Sequence, residues 1–331
     1  MEILFAVVGL LLVGLTIIDA LWTALWVDGS AGPVTGRVTT WLWKGTLAVF
    51  GRRRHRRLSV FGPLVLVLTV LQWIVLLWAG WVCLFASDPD ALMRSGGPGT
   101  ADWTGRIWFV GYTMFTVGNG DFVPADGLWQ VVSGLVALTG MSLITLAVTY
   151  LLSVVSAVVG KRAFASQVAG LGRSGEEFVL SGWNGRNLHP LDRQLTDLSS
   201  QLSRLTEQYL SYPVLQYYHA ASPDKSPVKA AAVLDDALLL MTAGVPADQR
   251  PDPAALRTAR SSVRTFLQDA QEAASIDAAP AAPPAPRLSA LREQGVPTVA
   301  DEQFTAAVAE QADRRRTMLG LVRGDGWNWE E

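Results

Sequence analysis

Three stretches of this sequence are apolar over more than the roughly 20 residues of helix that a bilayer crossing takes. They are residues 3–27, broken only by Asp19, and residues 58–86 and 128–160, neither of which carries a charge. With no water in the hydrocarbon layer, every backbone polar group must be satisfied internally, so each run reads as a membrane-spanning helix. The first lacks the basic start and small-residue cleavage pattern of a secretory signal, and reads as a retained helix. The chain is 50% hydrophobic and only 17% charged, and the excess sits in the first 160 residues. Beyond them, charged and apolar residues alternate between Pro-rich breaks. The expected fold is an all-α membrane protein with a helical soluble part. Its domains are an N-terminal helix and basic loop (1–57), a central membrane domain (58–160) and a soluble helical domain (161–331).

Lys and Arg near membrane ends stay cytoplasmic. The loop after the first span holds Gly-Arg-Arg-Arg-His-Arg-Arg at 51–57, with Arg37 and Lys44 before it, and is therefore placed inside. Residues 87–127 then lie outside, and the third span returns to Lys161 and Arg162 at the cytoplasmic face. The expected arrangement is a multi-pass cell-membrane protein with an external N-terminus and a cytoplasmic C-terminal domain. Tryptophans prefer the headgroup level: Trp22, Trp26, Trp41 and Trp43 would mark the inner interface, and Trp78, Trp81, Trp103, Trp108 and Trp129 the outer. The basic run is a topology signal first and a site for anionic membrane lipid second. Cys83, the single cysteine, forms no disulfide framework and packs as a small apolar residue.

Between the second and third spans, residues 103–115 read as a helix too short to cross the membrane. It leads into Thr116-Val117-Gly118-Asn119-Gly120-Asp121. Non-helical backbone at membrane depth is tolerated only where it is buried in protein or lines a water-filled cavity. Glycine at alternate positions allows positive φ at little cost, so that successive carbonyls turn to one side as a partial hydration shell for a cation. One chain offers one strip; several copies around an axis are needed to complete the shell.

This segment resembles the potassium-channel pore family, whose signature reads Thr-Val-Gly-Tyr-Gly-Asp. The matching residues are Thr116, Val117, Gly118, Gly120 and Asp121, behind an aromatic-rich helix with Trp108 and Phe109 and ahead of Val123-Pro124. The resemblance spans about 100 residues, 58–160. It implies a re-entrant pore helix and selectivity filter in a homotetramer, with the carbonyls of Thr116, Val117, Gly118 and Asn119 and the Thr116 hydroxyl binding dehydrated potassium ions. It further implies filter support from Asp121, Trp108 and Phe115, and a gating hinge at Gly140. Two positions depart from the family. Asn119 replaces the aromatic residue that buttresses the filter, and Phe115 replaces a threonine that commonly precedes it. Cation conduction is therefore a firmer expectation than strict selectivity for potassium over sodium.

The third span carries Ser133, Gly140, Ser142 or Thr145, Thr149, Ser153 and Ser156 at helical spacing, which suits either a pore lining or close helix packing. Asp19 is the one ionisable residue inside a span. Near the inner end it can reach the interface or pair with loop arginines in a structural role.

In the soluble part, Gly170-Leu171-Gly172-Arg173-Ser174-Gly175 fits the dinucleotide pattern literally but lacks the strand before it, and reads as a flexible joint. Leu191, Leu195, Leu198, Leu202, Leu205 and Tyr209 form a short heptad seam over 191–209. It either pairs with copies in other subunits as a coiled coil or buries itself against a helix of its own chain. Further helices are expected at 228–243, 253–275 and 304–322. Residues 279–286, Ala-Pro-Ala-Ala-Pro-Pro-Ala-Pro, read as a stiff linker or exposed loop. His189 and His219 have no ligand-spaced partners and are read as solvated or packed, although a histidine under a pore can sense pH. No nucleophile triad, paired-carboxylate or phosphate-loop arrangement is present, so neither an enzyme nor a resident cofactor is expected, and no nucleic-acid partner. The sequence leaves open a gating ligand or protein partner at the cytoplasmic domain. The alternatives to a potassium channel are a poorly selective cation channel and a non-conducting receptor or scaffold.

Overall fold

A computed structural model of the chain describes residues 1–26, 31–50, 60–274 and 277–329. The basic run at 51–57, on which the expected orientation rests, and the side chains of Trp43 and Lys44 lie outside the described residues. The chain divides into two compact units, residues 1–45 with 63–154, and residues 46–62 with 155–331.

The first unit holds α1 (Glu2–Leu25), most of α2 (Pro33–Phe50) and of α3 (Phe61–Ala86), β1 (Leu92–Arg94), α4 (Trp103–Met114), β2 (Phe122–Pro124) and the larger part of α5 (Leu128–Leu171). Three of these, α1, α3 and α5, are long and apolar enough to cross a membrane. α1 packs on α3 through facing glycines. A side-chain carbon on Gly9 would strike Gly80 O at 2.8 Å, and one on Gly80 would strike Val13 Cγ2 at 2.9 Å. Small residues let membrane helices approach this closely.

Helix α2 lies in what the sequence presented as a loop. Pro33 opens it, which suits the fixed φ of proline at a first helical position. Among its described side chains Thr35 and Thr39 are buried, while Val38 and Trp41 are exposed. An inward face made of hydroxyls gives no apolar periodicity to read. The strands, three residues each, pair antiparallel in the register Leu92 with Pro124, Met93 with Val123 and Arg94 with Phe122. They are too short to show alternation.

Helix α5 does not stop near Gly160. Phe164, Ala165 and Val168 are buried in the core of the second unit, and this carries the helix to Leu171. The joint expected at 170–175 is instead a tight capped turn. Ser174 accepts from Glu177 N at 3.2 Å, and Glu177 Oε2 accepts from Arg173 N at 2.8 Å, a reciprocal cap that opens α6 (Gly175–Ser181).

α7 (Leu191–Ser211), α8 (Pro227–Leu239), α9 (Pro253–Ala274), α10 (Leu288–Glu293), α11 (Asp301–Glu310) and α12 (Ala312–Gly324) complete this unit. The heptad seam is spent inside it. All five seam leucines of α7 are buried, with Leu195, Leu198 and Leu202 at 0% exposure. The stripe Leu256, Ala259, Val263, Phe266 and Leu267 of α9 belongs to the same core. Tyr209 meets Phe266 at 6.3 Å between ring centroids, and Ser203 and Ser262 share a hydrogen bond of 3.0 Å. A coiled coil with other subunits through this seam is therefore ruled out by burial: α7 has one apolar stripe, and α9 covers it.

The helix expected over 304–322 is broken at Gln311, which caps α11. The Pro-rich stretch lies on the unit as a strap: Ala279 N donates to Arg316 O at 3.0 Å, Pro284 O accepts from Arg315 at 2.7 Å, and Pro283 and Pro286 are buried. Arg314 pairs with Asp235 and Arg315 with Asp236, joining α12 to α8. Burial pushes the Asp236 carboxyl up to about 7 against the pull of Arg315, and Asp235 and Glu176 act in the same direction as burial. His189 sits at the surface beside Asp192. His219 Nδ1 lies 3.3 Å from Asp325 Oδ1. Burial pushes the Asp325 carboxyl up, but hydrogen bonds from His219 and Ser226 and the charges of Lys161 and His219 outweigh it and hold the group below the usual range. Lys161, at the C-terminal end of the apolar part of α5, is buried and donates to Tyr218 O at 2.7 Å and Leu215 O at 3.3 Å.

Candidate functional site

α4 is 12 residues long, about 18 Å at the α-helical rise, well short of a membrane crossing. It starts where Asp102 accepts from Gly105 N at 2.7 Å. It ends at Met114, where the chain turns out: Thr116 N donates to Thr113 O at 3.1 Å and Val117 N to Tyr112 O at 2.8 Å. The segment after it has positive φ at every second residue, with Thr116 at 57°, Gly118 at 62° and Gly120 at 79°. Alternation of hand along a strip is the backbone condition for laying successive carbonyls along one edge. Two of the three positions are glycines, as the sequence suggested. The third is Thr116, a β-branched residue for which the left-handed region costs about 1–2 kcal/mol. Strain of that kind concentrates at functional sites.

Asp121 organises the outer end of this strip. Its Oδ2 accepts from Asn119 Nδ2 at 2.6 Å and from the Trp108 indole at 3.3 Å, and its carbonyl accepts from Ser95 N at 3.0 Å. The side chain that replaces the expected aromatic buttress is thus tied, through Asp121, to α4. Tyr112 OH donates to Phe122 O at 2.7 Å, and the Phe122 ring fills the space over Gly105. Strand β2 is fastened to α4 from both sides.

Aromatic rings set α4 on the membrane helices. Phe115 meets Trp78 of α3 edge-on at 6.0 Å, and Phe109 meets Phe85 at 5.2 Å. The Trp78 indole donates to Ile107 O at 3.1 Å, Trp81 to Thr139 Oγ1 at 3.1 Å and Trp129 to Asp88 Oδ2 at 2.9 Å. These three tryptophans spend their N–H groups inside the protein rather than on lipid headgroups. Gly140 of α5 carries the base of α4: a side-chain carbon there would lie 2.5 Å from Met114 Cγ and closer still to the Met114 carbonyl. The helix is continuous through it. Of the expected lining hydroxyls, Ser142, Thr145, Thr149 and Ser156 are exposed in the single subunit. Thr145 and Thr149 donate to carbonyls of their own helix at 2.9 Å. Among the described residues, no group of three or more His, Cys, Asp or Glu is placed to hold a metal ion.

Residues 68–157 match the family model described as "Ion channel". The match starts within α3 and includes α4, the left-handed strip and the apolar length of α5, so the chain carries an ion-channel domain of the potassium-channel pore type. Over 325 residues, 98% of this chain and 95% of the relative, it is 41% identical to "Uncharacterized membrane protein YdjJ" of Bacillus subtilis. The chain belongs to the YdjJ family of membrane proteins. It is also 29% identical over 143 residues to "Putative potassium channel protein YugO" of the same organism, covering 41% of this chain and 42% of that protein. No solved structure matches the chain. The YdjJ likeness runs nearly end to end, so α1, α2 and the C-terminal helices are part of an architecture the two proteins share, while the ion-channel match covers only its middle.

Proposed function

We propose that the protein is a homotetrameric cation channel that conducts potassium through the carbonyls of residues 116–119. The observation that carries this reading is the run of left-handed residues at 116, 118 and 120 directly after a half-length helix, within a segment that matches an ion-channel family. A single subunit leaves this strip exposed, as expected of a surface completed by three copies. The permeant potassium ion is cargo; no resident cofactor is required. The Asn119–Asp121–Trp108 chain supports a filter held at its outer end without the family's aromatic residue. In this reading α5 lines the pore and the N-terminus is external. The second unit is cytoplasmic, fed by Lys161 and Arg162, and receives the gating signal, whether from a small ligand or a protein.

Assembly then rests on the membrane part. Beyond Val159, no large apolar side chain among the described residues is exposed, so α6 to α12 offer none of those side chains for subunit contacts. This favours tetramer formation around α4, the strip and α5 over formation through the cytoplasmic helices.

The test is flux from potassium-loaded and sodium-loaded liposomes with the wild-type protein and Gly118→Ala. The reading expects potassium flux that Gly118→Ala abolishes. Equal silence of both proteins favours the receptor or scaffold. Equal potassium and sodium flux favours a poorly selective channel, the outcome that Asn119 in the aromatic position would explain.

A further inference from the structure

The α1–α2 hairpin lies outside the ion-channel match, yet a chain of buried side chains leads from it to α5. Asp19 of α1 is fully buried in a membrane-crossing helix, where an ionisable group is costly and must find its partners within the protein. One carboxylate oxygen, Oδ1, accepts from Val34 N at 2.7 Å and Thr35 N at 3.1 Å, the second and third residues of α2. A carboxylate of one helix thereby caps the next, at the end where the helix dipole favours negative charge. The other oxygen, Oδ2, accepts from the Thr35 hydroxyl at 2.5 Å and the Trp73 indole at 2.9 Å. Trp73, on α3, is wholly buried, and its ring meets Tyr150 of α5 at 5.7 Å between centroids and 53° between planes. Tyr150 is itself buried.

Both oxygens of Asp19 are in use, and among the described residues every donor to them comes from α2 or from Trp73. The Trp73 ring cannot turn without leaving an indole N–H and a buried carboxylate short of partners. Such a fully satisfied buried network is rigid when intact and costly when half-made. Tyr150 lies ten residues beyond Gly140, about 15 Å further along α5 at the helical rise. The fixed indole therefore holds the inner part of this helix and not the part that carries α4.

We infer that the α1–α2 hairpin is a gating input: Asp19 and the start of α2 lock Trp73, Trp73 holds the Tyr150 segment of α5 against α3, and displacement of α2 releases that segment. The inference rests on the reading of α5 as pore-lining. Neither end of the chain needs to touch the ion path, since coupling travels through contiguous contacts that have two arrangements.

The experiment uses the full-length protein in lipid nanodiscs and in planar bilayers. Trp73→Phe keeps a ring and removes the indole N–H; Asp19→Asn keeps one acceptor and removes the charge. Val13→Ala, another buried α1 residue packed on α3, controls for general loosening of the hairpin. Hydrogen–deuterium exchange of the amides around Tyr150 should rise about tenfold in Asp19→Asn and Trp73→Phe and stay near wild type in Val13→Ala. The double variant Asp19→Asn/Trp73→Phe should do no more than either single one. Open probability should shift in the same direction in both, with unitary conductance and reversal potential unchanged. Unaltered exchange at Tyr150, an equal rise in Val13→Ala, or additive effects in the double variant would overturn the latch. A wild type that passes no current would refute the channel reading alone, because the exchange measurement still decides the latch.

Discussion

Gly140→Ala separates two roles for the glycine in the apolar part of α5. A glycine that serves only as a hinge is a weak point in the helix, and alanine should stabilise the protein by about 0.5–1 kcal/mol while reducing opening. The structure assigns it a contact instead. Carbon atoms pack at about 3.5–4.0 Å, and the new methyl would lie 2.5 Å from Met114 Cγ, with the Met114 carbonyl nearer still. Relief requires α4 to move outward by about 1 Å, and overpacking of this kind costs about 1–3 kcal/mol. The helix-propensity gain offsets part of that, leaving a net loss of up to about 2 kcal/mol. Gly134 is the internal comparison, since it lies on the same helix with nothing within 4 Å in its own subunit. Gly134→Ala should show the propensity gain without the clash. Thermal unfolding of the full-length protein in detergent reads the difference, and potassium against sodium flux reads whether the filter moved with α4. Gly140→Ala should melt below Gly134→Ala and lose selectivity. If both variants melt above wild type and keep selectivity, the packing argument fails and the hinge stands.

Removing the Asp121 charge should loosen the strip that Asn119 and Trp108 hold. Asp121→Asn and Asn119→Ala each forfeit a charge-assisted hydrogen bond, worth about 1.5–3 kcal/mol when shielded and less in an exposed site, and should lower the potassium-to-sodium permeability ratio measured from reversal potentials. An unchanged ratio in both would remove Asp121 from the account. Leu198→Ala should destabilise the second unit by about 2–5 kcal/mol and leave the oligomeric mass unchanged by light scattering; loss of the oligomer would restore the intersubunit coiled coil. Because the folded-state pKa of Asp236 is raised to about 7, the folded protein retains a proton that the unfolded chain releases. This group therefore favours folding below the ordinary carboxylate range and loses that advantage as pH rises from about 4 to about 7, a change on the order of a few kcal/mol. Chemical denaturation of wild type and Asp236→Asn across that window should show a pH slope in wild type that the variant lacks; parallel slopes would refute it.

The three helices long and apolar enough to cross a membrane, the half-length helix and the two left-handed glycines, Gly118 and Gly120, were legible in the sequence because each has a one-dimensional signature: uninterrupted apolar length, or glycine at a fixed interval. The heptad seam of α7 was equally legible, but a stripe of leucines names no partner, and only the structure shows α9 covering it. Helix α2 was hidden because the buried side chains of its described part are threonines, and the 304–322 helix was overextended because neither glycine nor proline marks the break at Gln311. Asp19 was visible as an ionisable residue inside a span. Its partners, Val34, Thr35 and Trp73, are 15 to 54 positions away and were not. Thr116 is the clearest case: nothing in the letter Thr announces a left-handed backbone, which the surrounding turn imposes.

The central claim is that backbone oxygens of residues 116–119 from several copies replace the water around a moving monovalent cation. Crystals of the full-length protein grown in thallium or rubidium salts test it directly through anomalous scattering. The account predicts a file of peaks on a fourfold axis, level with Thr116, Val117, Gly118 and Asn119. Fourfold packing with no peaks there, or a strip that faces away from the axis, would contradict it.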